Sequence, residues 1–285
     1  MILISKGKWN AMEKILFNTT NVISDEEFKK NQRDFYNRGK GNLNEIDGID
    51  CPICKNRGRI AVPSLTDDYE LQNCECMKKR DLKRREIKSN LGDFLTLRSK
   101  DYIAEEDWQK ENKKMLRDYC LQNVDNWFML VGTSGCGKTM MGCIIANHFI
   151  YNLGKEVMFI TWTDFIGKLK RDLMSNNAGK VSEYFQEIKD VEVLFIDELL
   201  KTYNETDLKY IIEIINDRYV NNKITIITSE KRVNELLDID EATFSRVVQK
   251  CGKFIIDIPK DRSKNFRLKN LNKGEIQYEK RWIKT

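Results

Sequence analysis

Hydrophobic positions fall into two regimes along the chain. From residue 127 onward, compact apolar runs alternate with longer mixed stretches: WFMLVG (127–132), EVMFITW (156–162), VEVLFID (191–197) and KITIITS (223–229). Each run is short, nearly continuous and rich in β-branched or aromatic residues, the pattern of a strand buried on both faces. The intervening segments are long enough for crossover helices, so residues 127–285 are expected to form an α/β domain around a parallel sheet. Before residue 127 the pattern is weaker. Residues 11–38 carry a short helical pattern in which SDEE (24–27) reads as an N-cap followed by an acidic first turn. A polar, glycine-containing patch follows, then a cysteine-bearing region over 51–76 and a basic run. The expected organisation is a small helical N-terminal domain (1–90), a connector (91–126) with one amphipathic helix around 105–122, and the α/β domain.

Composition narrows the function classes. The 285 residues are 41% hydrophobic and 33% charged, enough to bury a real core in a soluble protein. No run approaches the roughly 18 uncharged apolar residues of a membrane span. The opening MILISKGKWN has neither an apolar h-region nor a small-residue cleavage site, so it does not read as a signal peptide, and a cytoplasmic protein is expected. Net charge is +5, of which +4 lies in residues 1–90 (18 Lys+Arg against 14 Asp+Glu). Most of that surplus is MKKRDLKRREIK (77–88), either a phosphate-contacting run or a solvated helix face. The single histidine, His148, removes Ser-His-Asp and Cys-His nucleophile systems and any multi-histidine metal site. It follows Met141 and Ile144 at helical spacing and reads as a packing residue.

The segment GTSGCGKT (132–139) matches G-x-x-x-x-G-K-[ST] at every position, directly after an apolar strand and before an apolar-faced helix. Gly132, Gly135 and Gly137 let backbone N–H groups wrap phosphates at a helix N-terminus, with Thr133, Ser134 and Cys136 as the variable loop positions. Lys138 is expected on the β- and γ-phosphates of ATP, and the Thr139 hydroxyl on a magnesium ion (Mg2+). VEVLFIDEL supplies the second half of such a site: Asp197 would hold magnesium through its water shell and Glu198 would orient and deprotonate the attacking water. An ATPase is therefore expected.

Cys51-x2-Cys54 and Cys74-x-Cys76 place two thiol pairs close together in sequence. A turn at each pair can aim four thiolates at one tetrahedral zinc (Zn2+) without histidine. The disulfide alternative needs an oxidising compartment, and a redox motif needs a βαβ context around Cys51 that the sequence lacks. Residues 45–80 hold too few large apolar side chains for a core, so a structural zinc is the expected staple. Cys120, Cys143 and Cys251 read as buried small residues.

Together, CPIC…CECMKKR, the P-loop, the Asp197-Glu198 strand end, IINDRY (214–219), KITIITSE, ATFSRVV and NFRLK resemble the AAA+ ATPases of the bacterial helicase-loader (DnaC/DnaI) group, over roughly 45–270. Versions from Gram-positive bacteria and their phages are the nearest likeness. The resemblance implies an AAA+ P-loop fold preceded by a zinc-binding module, and several further roles. Ser229 stands at the sensor 1 position, where many loaders carry Asn one residue on and this chain has Glu230. Arg246 corresponds to the arginine finger that reaches a neighbouring subunit's nucleotide, with Arg218 a second candidate in trans. Arg267 corresponds to the sensor 2 arginine of the lid, with Arg262 its competitor. The implied partners are the hexameric replicative DNA helicase, docked by the N-terminal module, single-stranded DNA, and further copies of the chain through the AAA+ domain. Within TDFIGKLKRDLMSNNAGKVSEYFQEIKD (163–190), Lys168, Lys170 and Arg171 are candidate phosphate contacts or members of a solvated face. Two other readings remain: a transposition helper ATPase, against which the zinc-type module argues, and a non-hydrolysing ATP-binding adaptor, against which the intact Asp197-Glu198 pair argues.

Overall fold

The SDEE signal does cap a helix: Ser24 Oγ accepts from the Glu27 N–H at 3.2 Å, ahead of three consecutive acidic residues in the first turn of α1 (Asp25–Arg38). The computed structural model describes residues 23–122, 125–175 and 178–269. The decapeptide weighed as a signal sequence and the start of the 11–38 pattern lie outside them.

By its packing the chain divides between Arg84 and Arg85. The first unit continues with α2 (Leu43–Asp47), an antiparallel hairpin of β1 (Arg59–Val62) and β2 (Glu70–Asn73), and the start of α3 (Cys76–Lys88). The hairpin was not expected from sequence. Its register pairs Arg59 with Asn73, which brings the segment just before β1 beside the segment just after β2. Those are the two cysteine-bearing segments. The buried apolar cluster here consists of Cys51, Cys54, Cys74 and Cys76, with Ile60 packed against it, so the thiols stand where other domains put leucines.

The second unit carries a 3-10 turn (Gly92–Thr96), α4 (Asp107–Gln122), β3 (Phe128–Gly132), α5 (Lys138–Tyr151), β4 (Val157–Thr161), α6 (Trp162–Met174), α7 (Ala178–Asp190) and β5 (Val193–Asp197). It continues through α8 (Glu205–Val220), β6 (Ile224–Ser229), α9 (Val233–Ile239), α10 (Glu241–Cys251), β7 (Ile255–Ile258), a 3-10 turn (Arg262–Lys264) and α11 (Phe266–Lys269). The four strands expected from the apolar runs are present, and β7 joins them in a parallel sheet of order β4-β5-β6-β3-β7. Strands β3, β5 and β6 are buried at every position, as continuous apolar runs in a helix-covered parallel sheet should be. The strand leading into the P-loop lies between β6 and β7, and the strand ending in Asp197 lies beside β6. All these strands run parallel, so their C-terminal ends meet at one edge of the sheet, where ligands of open α/β sheets bind.

Arg218 corrects an expectation. It is fully buried on α8, and its guanidinium donates to Thr225 Oγ1 and to the carbonyls of Ile188, Val191, Glu192 and Ile224. All five N–H groups are spent on this chain's own backbone and core, so Arg218 has no reach toward a neighbouring subunit. Replacing it with Ala would take the donor from four carbonyls, of which those of Ile188 and Ile224 are in buried hydrogen bonds. The expected cost is roughly 3 kcal/mol or more, read as a lowered denaturation midpoint.

Candidate ATP site and cysteine cluster

The P-loop geometry depends on glycine at two points. Gly132 has φ +116°, and a Cβ there would lie 1.8 Å from the Ile258 carbonyl oxygen of the neighbouring strand β7. Gly135 has φ +72°, and a Cβ would strike the Asn265 side-chain oxygen at 2.0 Å. Any side chain at either position forces the loop or its neighbours to move. The Phe266 N–H donates to the Gly135 carbonyl at 3.0 Å, so a C-terminal segment straps the loop.

Lys138 opens α5. Its ammonium is buried and donates to the carbonyls of Gly132 (3.0 Å) and Thr133 (2.7 Å), and burial lowers its pKa. Thr139 Oγ1 donates to the Asp197 carboxylate, at 3.0 and 3.1 Å from the two oxygens. Burial pushes the Asp197 carboxyl up, the Thr228 and Thr139 hydroxyls pull the other way, and neighbouring Glu198 raises it again. This hydroxyl–carboxylate pair is the hard-oxygen donor set that suits magnesium, which takes one or two protein oxygens alongside water and phosphate. Cys136 is fully buried, with its Sγ donating to the Thr133 carbonyl at 2.9 Å, and burial raises its pKa. A thiol so placed is a space-filling loop residue, not a nucleophile.

One residue of the site escaped sequence reasoning. Thr228 Oγ1 donates to Asp197 Oδ1 and accepts from the Glu198 N–H at 3.0 Å, so one hydroxyl orients both acidic residues. Sheet register puts it there: Ile196 pairs with Ile227, which sets Asp197 beside Thr228 at the strand ends. Ser229 is buried and its hydroxyl donates to the Leu199 carbonyl at 2.7 Å. Glu198 has φ +55°, a left-handed backbone uncommon for a non-glycine residue and frequent at functional sites. Its carboxylate accepts from Lys201 at 2.9 Å.

A cavity of about 440 Å3 opens over these groups, lined by Ser134, Lys138, Thr139, Asp197, Glu198 and Arg267 among others. Phe94 and Leu97 form an apolar wall. Arg262 lines a different cavity, of about 470 Å3, with Thr133, Lys201, Lys231 and Lys260. Arg246, on α10, donates to Asn216 Oδ1 at 2.6 Å and does not line the 440 Å3 cavity. Lys170 pairs with Asp207 at 2.7 Å and Lys168 lies over the Tyr184 ring at 3.6 Å, while Arg171 is exposed.

In the first unit the Sγ atoms of Cys51, Cys54, Cys74 and Cys76 all lie within 4.8 Å of one another, and all four cysteines are buried. Cys51 and Cys74 are 3.8 Å apart and Cys54 and Cys76 3.5 Å, close to the ~3.8 Å sulfur–sulfur edge of a tetrahedron with ~2.3 Å zinc–sulfur bonds. All eight cysteines are free thiols. Burial raises the Cys54 pKa, but the Gly58 N–H at 3.3 Å and the neighbouring thiols more than offset it and bring it to about 7. Arg80 is buried beneath the cluster, forked onto Asp47 and donating to Asn56 Oδ1, which also accepts from the Cys51 N–H. One member of the basic run is thus a structural prop rather than a surface charge. The four cysteines form a site that could hold a metal ion.

Comparison with known proteins gives the family of the chain. Residues 70–267 match the family of IstB-like ATP binding proteins. The uncharacterized protein YqaM of Bacillus subtilis (strain 168) is 28% identical over 235 residues, covering 74% of this chain and 72% of that protein. The phage-like element PBSX protein XkdC of the same organism is 27% identical over 228 residues, covering 73% and 82%. Among solved structures, that of the DnaC helicase loader superposes with a TM-score of 0.49 at 21% identity, covering 57% of this chain and 98% of that one. With a family match spanning the ATP site and most of the chain, the protein belongs to the IstB-like ATP binding proteins.

Proposed function

We propose that this protein is an ATP-hydrolysing loader of the hexameric replicative helicase, working on single-stranded DNA during the initiation of DNA replication. The observation that carries the reading is the combination on one chain of a four-cysteine module with an ATP site whose two acidic residues are both oriented. Lys138 and the loop amides hold the triphosphate, Thr139 and Asp197 hold magnesium, and Glu198 is the base for the attacking water. Bound magnesium neutralises charge on the phosphates. Arg267 contacts the nucleotide in cis from the cavity wall, and Arg246 serves a neighbouring copy. Zinc on Cys51, Cys54, Cys74 and Cys76 holds the helicase-docking module together, a full thiolate shell leaving no open coordination position for catalysis.

Thr228 is assigned the role of positioning residue. Thr228→Val removes the hydroxyl from Asp197 and Glu198, and turnover is expected to fall roughly 10- to 100-fold, the equivalent of a hydrogen bond to a charged group. Nucleotide affinity without magnesium should change little, which separates the positioning role from a binding role. The reading as a whole is tested by mixing the purified protein with the cognate replicative helicase, with and without ATP and single-stranded DNA. A stable complex is expected, and ATP is expected to alter its affinity for the DNA. Absence of any helicase complex, under conditions where another partner such as a transposase does bind, sinks the loader assignment.

A further inference from the structure

Helix α5 opens with Lys138 and Thr139 and carries a buried asparagine, Asn147, in its third turn. Asparagine suits that place poorly: its side chain competes with the helix backbone, and a buried amide is costly unless its polar atoms are paired. Here one end is paired and the other is not. Asn147 Nδ2 donates to the carbonyls of Phe94 at 2.7 Å and Leu97 at 2.9 Å, whereas Oδ1 is buried with no partner among the described residues. The two carbonyls fix the orientation, because an amide oxygen turned toward them would meet acceptors alone. For packing alone a leucine would serve better, so the two donated bonds are the reason for an amide.

Those bonds run to the 3-10 turn Gly92–Thr96 and the residue that follows it. None of the five turn residues is buried, so the turn has little packing to hold it in place. Its other carbonyl bonds are local. The Leu97 N–H donates to the Phe94 carbonyl at 3.1 Å, and the Arg98 guanidinium donates to the carbonyls of Leu95 and Leu97. These keep the turn folded without fastening it to α5. Asn147 does the fastening, helped by buried Leu91 ahead of the turn, the edge-on Phe94 and Phe159 rings at 6.1 Å, and Arg98 over the Tyr151 ring at 4.4 Å.

The turn presents the apolar wall of the 440 Å3 cavity. Phe94, Leu97 and Met140 of α5 are the apolar side chains of its lining, and the remainder is the glycine loop with polar and charged groups. A nucleoside triphosphate has one apolar part, its base. With the triphosphate on the loop and Lys138, the base falls to the wall. We propose that Asn147 is a positioning residue for the base: it ties the wall of Phe94 and Leu97 to the helix that opens on the phosphates, so both ends of the nucleotide are gripped from α5. The proposal rests on the reading of this cavity as the ATP site. Without the tie the wall samples displaced positions, and apparent affinity falls with the fraction of time it is in place.

The test compares magnesium-ATP with magnesium tripolyphosphate, which has no base, binding to the full-length protein by calorimetry. Asn147→Leu nearly keeps the side-chain volume and leaves neither carbonyl without a donor, since Leu97 and Arg98 still serve them; the variant is expected to fold. ATP is expected to bind roughly tenfold more weakly, a loss that two hydrogen bonds can account for, and tripolyphosphate to bind as it does to wild type. In turnover the loss should appear in KM and not in kcat. In the background Phe94→Ala, Leu97→Ala, which removes the wall itself, Asn147→Leu should have no further effect. The proposal is overturned if Asn147→Leu leaves ATP affinity unchanged, if it weakens tripolyphosphate equally, or if its effect persists in full without the wall. Wild-type protein that holds tripolyphosphate as tightly as ATP also overturns it, with the phosphate site intact. Wild-type protein that binds neither ligand sinks the ATP-site reading on which it rests.

Discussion

Cys51→Ser and Cys74→Ser are each expected to release zinc and unfold the cysteine module while the ATP site keeps its affinity for nucleotide. The magnitude follows from what the module lacks. Among the described residues its buried apolar cluster consists of the four cysteines, with Ile60 packed against them. Structural zinc contributes ~10–16 kcal/mol in finger peptides, and little else here could replace that contribution. Without the ion, four buried sulfurs within 4.8 Å of one another gain no compensating bond, and Arg80 and Asn56 are left propping a site that no longer closes. Metal content together with amide exchange over residues 23–84 reads the result. Full metal retention in both variants would refute a zinc site built on these thiols. The packing division between Arg84 and Arg85 is the reason to expect nucleotide binding to survive.

Arg246→Ala is expected to lower ATP turnover of the assembled protein by ~10³–10⁵, the range measured for arginine fingers, with the isolated chain's basal rate unchanged. Arg246 does not line its own chain's nucleotide cavity. Among the described residues its guanidinium donates to the neutral Asn216 Oδ1 at 2.6 Å and stands 5.9 Å from the Tyr219 ring centre, with no carboxylate paired to it. A cation held so lightly can exchange Asn216 for a γ-phosphate at little cost, whereas Arg218 would abandon five hydrogen bonds. Arg246→Lys should rescue poorly, because a point charge cannot reproduce the planar fork. Equal turnover by wild type and Arg246→Ala in the assembled state overturns the assignment.

These two arginines mark the limit of what the sequence discloses. Both follow an acidic or polar residue on amphipathic helices and look alike as text. Only the fold shows that Arg218 reaches carbonyls at the ends of α7 and β6 while Arg246 stays half-exposed. The P-loop, Asp197 and the four strands were legible because each depends on local order: a spacing, a run, a strand followed by a glycine turn. Thr228 was not, because its role comes from the register between β5 and β6. Strand β7 escaped notice because IIDI is only four residues long and pairs with β3 across more than a hundred residues of chain. The β1–β2 hairpin escaped because ELQN is exposed throughout and carries no alternating apolar face.

The hydrogen bond from the Phe266 N–H to the Gly135 carbonyl ties phosphate grip to the posture of the C-terminal segment. Such a tie is reciprocal by thermodynamic necessity. If the fastened segment improves nucleotide affinity by some factor, bound nucleotide must favour the fastened segment by that same factor. Any macromolecule that holds residues 265–267 therefore becomes a lever on ATP affinity without touching the triphosphate, and the nucleotide becomes an equally strong lever on that grasp.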